Sequence, residues 1–112
     1  MSEIVVVGSF TAREGKEADA LAALEALIEP THAEEGCILY ALHQGVDDPR
    51  RLAFIERWES KELLQKHLGS QHVQDALGRL DELFSDGGDI VIYDSRPGGE
   101  RTKGSLADHA AR

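Results

Sequence analysis

The sequence has one cysteine, Cys37, so no internal disulfide can form and a reducing, cytoplasmic setting is the expectation. Basic residues are also scarce: 12 Lys and Arg stand against 21 Asp and Glu, for a net charge of −9. No basic stripe interleaves with aromatics, which argues against a nucleic-acid surface. The acidity itself indicates solubility and no particular partner. Long apolar runs are missing too. Nothing approaches the roughly 18 residues of a membrane span, so no membrane partner is expected. The opening MSEIVVVGSF has no basic segment and enters a strand almost at once, unlike a signal peptide. GxGxxG and Walker sequences are absent, so no nucleotide, flavin or nicotinamide has a visible cradle. HExxH and paired cysteines are absent as well. His67 and His72 lie five apart across a break rather than on one helical face, so neither a metal nor any other cofactor is expected.

What is present is enough for one domain with one core. Ile4 to Thr11 reads as a strand. Glu17 to about His32 reads as a helix, with Leu21, Leu24 and Ile28 on one face and Pro30 expected to kink or stop it. EEGC turns into a second strand, Ile38 to Gln44, and GVDDPR leads into a third, LAFIERWES. Ser60 is a good N-cap for Lys61 to Leu68, which Gly69 ends. Ser70 is a second N-cap, for Gln71 to Phe84, with Val73, Leu77, Leu80 and Phe84 as the apolar stripe. IVIYD, Ile90 to Asp94, is the last strand. The order β-α-β-β-α-α-β predicts a ferredoxin-like α+β sandwich with its second helix broken. The domain is expected over 1–96, with 97–112 a polar, Gly-rich tail packed on a partner subunit.

That partner follows from patterning. Helices on one side of a sheet cover only that side, yet the first strand is apolar on both: Ile4, Val6 and Phe10 on one, Val5 and Val7 on the other. Leu39, Ala41, Ala53 and Ile55 extend the second face. A second copy of the same sheet is the simplest cover, so a homodimer is expected.

The third strand carries the candidate chemistry. Alternation puts Leu52, Phe54, Glu56 and Trp58 on the helix-facing side, which lodges a carboxylate among bulky apolar groups. A buried carboxylate must be paired, hydrogen-bonded or neutral, and Tyr40, His67 and His72 are the candidate partners. A structural cluster pinning the broken helix is the plainer role for these groups. His72, at a helix start, suits an acid–base group. Trp58 and Tyr40 read first as core and second as ring-orienting groups, and Gly8 leaves room for close approach. Cys37 reads as a small buried residue, and His32 and His43 as surface residues.

FTAREGKEADALAALEALIEPTHAEEGCILYALHQ, FIERWESKELLQKHLGSQHV and IVIYD together resemble the antibiotic biosynthesis monooxygenase family, from about Ile4 to Tyr93. The likeness rests on G-C-x-x-Y-x-L-H, F-x-E-x-W, a histidine a little further on, and S-x-H. The resemblance implies a dimeric α+β barrel with a pocket between each sheet and its helices. It also implies, as for several relatives, oxidation of quinols or polycyclic phenols by O₂ without a prosthetic group. Tyr40, Phe54, Glu56, Trp58, His67 and His72 match the family pattern. Related haem-degrading enzymes use an Asn, a Trp and a His. Trp58 matches that set, but Gly8 and Leu77 stand at the other two positions, which argues against haem degradation. On this reading His72 is the base, assisted by Glu56 or His67. Tyr40 and Trp58 orient a small aromatic substrate, and Phe54 and Leu77 exclude water. An isomerase of a small carbonyl compound, or a small-molecule-binding domain without catalysis, would use the same pocket.

Overall fold

The computed structural model describes residues 3–86 and 88–106. Strand β1, Ile4–Thr11, buries every second residue, the signature of a strand with one face on the core. It is central. β3, Arg51–Trp58, pairs on one side, β4, Asp89–Asp94, on the other, and β2, Cys37–Gln44, adds to β3. All three pairings are antiparallel, and the order β2-β3-β1-β4 is the ferredoxin-like arrangement expected from the chain order. Register places Glu56 between Val6 of β1 and Tyr40 of β2, on the face that carries Phe54 and Trp58. β2 is irregular between Cys37 and Leu39. The extra residue resets the alternation, so Cys37 and Tyr40, three apart, both pack into the core under the helices.

The helices differ from the expected pair. Glu17 to His32 is not one helix but two: α1, Glu17–Glu25, and α2, Ile28–His32. Pro30 causes the break one turn upstream of itself. Its ring would clash with the Ala26 carbonyl four residues back, and it has no N–H to donate there. The chain tightens instead through Leu27 N–H to the Leu24 carbonyl, 3.1 Å, and resumes with Thr31 N–H to the Leu27 carbonyl, 3.1 Å. In the second half, α3, Lys61–Leu68, is capped as predicted by Ser60, whose hydroxyl accepts from Leu63 N–H at 3.2 Å. Ser70 stands at the N-cap of α4, Gln71–Leu77, but makes no side-chain cap; its hydroxyl donates back to the His67 carbonyl at 2.6 Å. Gln71 to Phe84 is also divided. Gly78, a poor helix former, ends α4, and a short α5, Leu80–Leu83, turns Phe84 inward against Phe10 with ring centroids 5.5 Å apart. Leu77, expected on the buried stripe, is therefore 41% exposed.

Gly36 fixes the approach of α3 to β2. It has φ +88, and a Cβ there would lie 2.5 Å from Leu63 Cδ1. On the sheet face away from the helices, Arg57 is buried and ion-paired with Glu3. Ser95, Arg96, Pro97 and Ser105 line a groove with Glu3, Val5 and Arg57, so this part of the tail meets its own sheet. Residues 107–112 of the expected tail lie outside the described residues. Among the described residues, no helix is long and apolar enough to cross a membrane.

Candidate active site

Between the sheet and the helices lies a cavity of about 50 Å³. Tyr40, Glu56 and His67 form its polar wall, and the rest is apolar. Leu77 and Ile90 line it and are also exposed, which puts its mouth between α4 and the edge strand β4. Of the residues singled out in the sequence, Gly8, Tyr40, Phe54, Glu56, His67 and Leu77 line this cavity. Gly8 matters by its size: the nearest atoms a Cβ there would meet are those of Phe10 at 3.5 and 3.9 Å and Ile90 at 3.7 Å, so it would fill space without a clash.

Trp58 and His72 are not on the cavity wall. Trp58 is fully buried behind it, its indole N–H donating to Glu56 Oε1 at 2.9 Å. Its ring lies 4.6 Å from that of His67. The expected histidine or tyrosine partner of Glu56 is thus replaced by a neighbour two residues along its own strand. Burial pushes the Glu56 carboxyl up to about 7, against the pull of the Trp58 N–H, with the charge of Glu34 adding to the rise. Burial also holds the Tyr40 phenol protonated well above its usual range, reinforced by Glu56. Tyr40 stacks on Phe54 with centroids 4.3 Å apart. Cys37, raised to about 11 by burial and by the charges of Glu34 and Glu56, is a thiol at neutral pH and no nucleophile.

The histidines find a carboxylate that the sequence did not single out. Glu34, in the turn before β2, accepts from His67 Nδ1 at 2.8 Å and from His72 Nε2 at 2.7 Å through the same oxygen, Oε2. The EEGC turn offered two glutamates and no periodicity to choose between them. Glu35 goes outward, 3.8 Å from Lys66, and Glu34 goes inward. The helix break expected to separate the two histidines is what joins them: the turn at Gly69 and Ser70 lets rings five residues apart converge to 6.0 Å. Thr31, fully buried in α2, lies 3.2 Å from His72 Nε2 by its hydroxyl. His32, an exposed residue as expected, still reaches back to the Tyr40 carbonyl at 3.0 Å.

These bonds set the chemistry of His67. A carboxylate oxygen only accepts, so Nδ1 carries the ring proton. Burial lowers the pKa of His67, with Glu34 opposing, so the ring is neutral near pH 7. Nε2 then keeps its lone pair, on a ring that lines the cavity, and has no hydrogen-bond partner among the described residues. The wall therefore offers a neutral base and, in Glu56, a carboxylic acid that is partly protonated at neutral pH.

Comparison with known proteins agrees with this architecture. Residues 3–79 match the family model described as "Antibiotic biosynthesis monooxygenase". A Mycobacterium tuberculosis protein named "Putative monooxygenase Rv0793" is 33% identical over 84 residues, 75% of this chain and 82% of that one. Its solved structure superposes with a TM-score of 0.79 over 88% of this chain and 98% of the other, at 30% identity. Protein SO0527 from Shewanella oneidensis is similar to the same degree, with a TM-score of 0.79, 33% identity, and coverage of 83% and 90%. The pocket-bearing sandwich and the matched sequence lead to one assignment: the chain belongs to the antibiotic biosynthesis monooxygenase family.

Proposed function

We propose that the protein is a cofactor-independent monooxygenase that oxidises a small electron-rich aromatic, a single-ring quinol, with O₂. The observation that carries this reading is the pair of a neutral His67 and a partly protonated Glu56 on the wall of a largely apolar cavity. Membership of the family and the likeness to a named monooxygenase support it.

O₂ is a triplet and reacts slowly with closed-shell molecules. A phenolate, however, can give it one electron. His67 Nε2 takes the phenol proton, while Glu34 holds the ring in the tautomer that can accept it. The resulting radical and superoxide recombine as a C–O bond, and loss of water leaves a hydroxylated quinone. The substrate supplies all four electrons, two as quinol becomes quinone and two as a ring C–H becomes C–O. One oxygen atom stays on the ring and the other leaves as water. Protonated Glu56 donates to the developing peroxide charge in a site too apolar to solvate it otherwise. Tyr40 and Phe54 present faces to the ring. The cavity holds only roughly three to five waters, so the ring enters as Leu77 and Ile90 part, and its far end sits in the mouth.

The test is turnover of a quinol panel by metal-free protein with and without O₂. Consumption of one O₂ per quinol is expected, with none in its absence. Equal anaerobic turnover of any substrate would move the assignment to an isomerase using the same base. His67→Gln is expected to cut kcat by about 10²-fold or more, the usual contribution of a general base. His72→Gln, off the cavity wall, should retain most of the rate.

A further inference from the structure

We propose that Glu34, His67 and His72 form a binding site for a borderline divalent cation, Zn²⁺ foremost, at the Nδ1 edge of His67. Glu34 Oε, His67 Nδ1 and His72 Nε2 lie within 4.8 Å of one another. They come from three separate elements: the turn before β2, the last turn of α3 and the first turn of α4. Two imidazoles and a carboxylate are a donor set for zinc and its transition-metal neighbours, and a poor one for Mg²⁺ or Ca²⁺, which want oxygen.

The fit needs the carboxylate to draw back and the two rings to close in, since the three donor atoms spread over up to 4.8 Å. At bond lengths of about 2.0–2.1 Å a tetrahedral centre holds its ligands roughly 3.3 Å apart. The two N···O distances here are 2.7 and 2.8 Å. One carboxylate must therefore draw back by about half an ångström, and its side chain is 17% exposed and belongs to a turn. The Thr31 and Ser70 hydroxyls, 3.2 and 3.4 Å from His72 Nε2, stand ready to hold a metal-bound water. Glu34 also has no permanent cation. Among the described residues its side-chain partners are the two histidines, with no Lys or Arg in ion-pair range.

Occupancy has a consequence for the ring. A metal takes the Nδ1 lone pair, so the remaining proton of His67 must move to Nε2. The ring would then present a donor to the cavity where it had presented an acceptor. If His67 is the base of the oxidation proposed above, the metal switches that base off; the binding site itself stands without that reading.

Protein stripped with chelator and titrated with Zn²⁺ by calorimetry, and with Co²⁺ by visible absorption, tests the site without any substrate. One ion per chain is expected, at micromolar affinity or tighter. Glu34→Gln and His72→Gln should each weaken it by at least about 100-fold, since even loss of a residue supporting a ligand costs 10–100-fold. His43→Gln, at an exposed strand position, should leave it unchanged. In ¹⁵N NMR of the histidines, His67 should pass from the Nδ1–H to the Nε2–H form as Zn²⁺ is added. Absence of saturable binding by the wild type below millimolar would overturn the site, whatever the variants do. So would one-to-one binding that survives both ligand substitutions, or a His67 that keeps its Nδ1 proton at saturation.

Discussion

Glu56 concentrates the electrostatic cost of this fold in one side chain. It is 7% exposed and its carboxyl is raised from the ordinary 4.5 to about 7. A carboxyl that holds its proton more tightly when folded stabilises the protein below about pH 4.5. It loses that contribution as pH rises through 7. The full swing is on the order of 3 kcal/mol. Glu56→Gln keeps an oxygen for the Trp58 N–H and cannot ionise. Its melting temperature should match the wild type near pH 4.5 and exceed it by several degrees at pH 8.5. A constant gap across that range would mean that the folded chain does not resist ionisation of Glu56. At this scale the sequence was informative where alternation rules. Period two put Phe54, Glu56 and Trp58 on one face, and the pairing with β2 brought Tyr40 to it. It was uninformative where a turn decides. Glu34 and Glu35 are chemically identical in the sequence, and only the folded turn, with Glu34 on the two histidines and Glu35 toward Lys66, shows which one points inward.

The turn before β2 thus ties two elements together. Gly36 has φ +88, and any side chain there would drive into Leu63 of α3, at 2.5 Å from Cδ1 and 2.7 Å from Cβ. Gly36→Ala combines a left-handed backbone with overpacking and is expected to cost about 2–4 kcal/mol. It should lower the denaturant midpoint at unchanged slope, and it should weaken Zn²⁺ binding by moving Glu34. The order of elements, the strand faces and the antiparallel hairpin were legible because each rests on a local period. The helix ends were not. Pro30 announced a disturbance, but the break lies one turn before it, at Leu27, because the clash is with a carbonyl four residues upstream. Gly78 sits in the middle of the apolar stripe, where it ends α4. α5 ends at Leu83 and Phe84 turns onto Phe10, so the stripe divides and Leu77 is left at the cavity mouth.

At the scale of the molecule, one side of the sheet is left largely uncovered by the described residues. Val5, Val7, Leu39, Ala41, Ala53 and Ile55 are only partly buried, and Val91 and Tyr93 of β4, which pair with Val7 and Val5, are 36% and 49% exposed. We propose that a second copy of the chain packs on this face, as the sequence led us to expect, since exposed apolar patches of this kind mark interfaces. Ile55, opposite Val7 and Ala41 in register, is central to it. The wild type should sediment as a dimer, and Ile55→Lys, which buries nothing new within the chain, as a monomer with an unchanged far-ultraviolet spectrum. A wild-type monomer at high micromolar concentration would remove the proposal.

The sole tryptophan is also placed to report on all of this. Trp58 is out of water, bonded through its N–H to Glu56, and packed on the ring of His67. The protein therefore carries a built-in fluorophore at the junction of Glu56 and His67. Its emission should be short-wavelength when folded and should titrate with a midpoint near 7, a step that Glu56→Gln abolishes. Ligand entry, metal uptake and unfolding can then be followed from one optical signal, with no label attached.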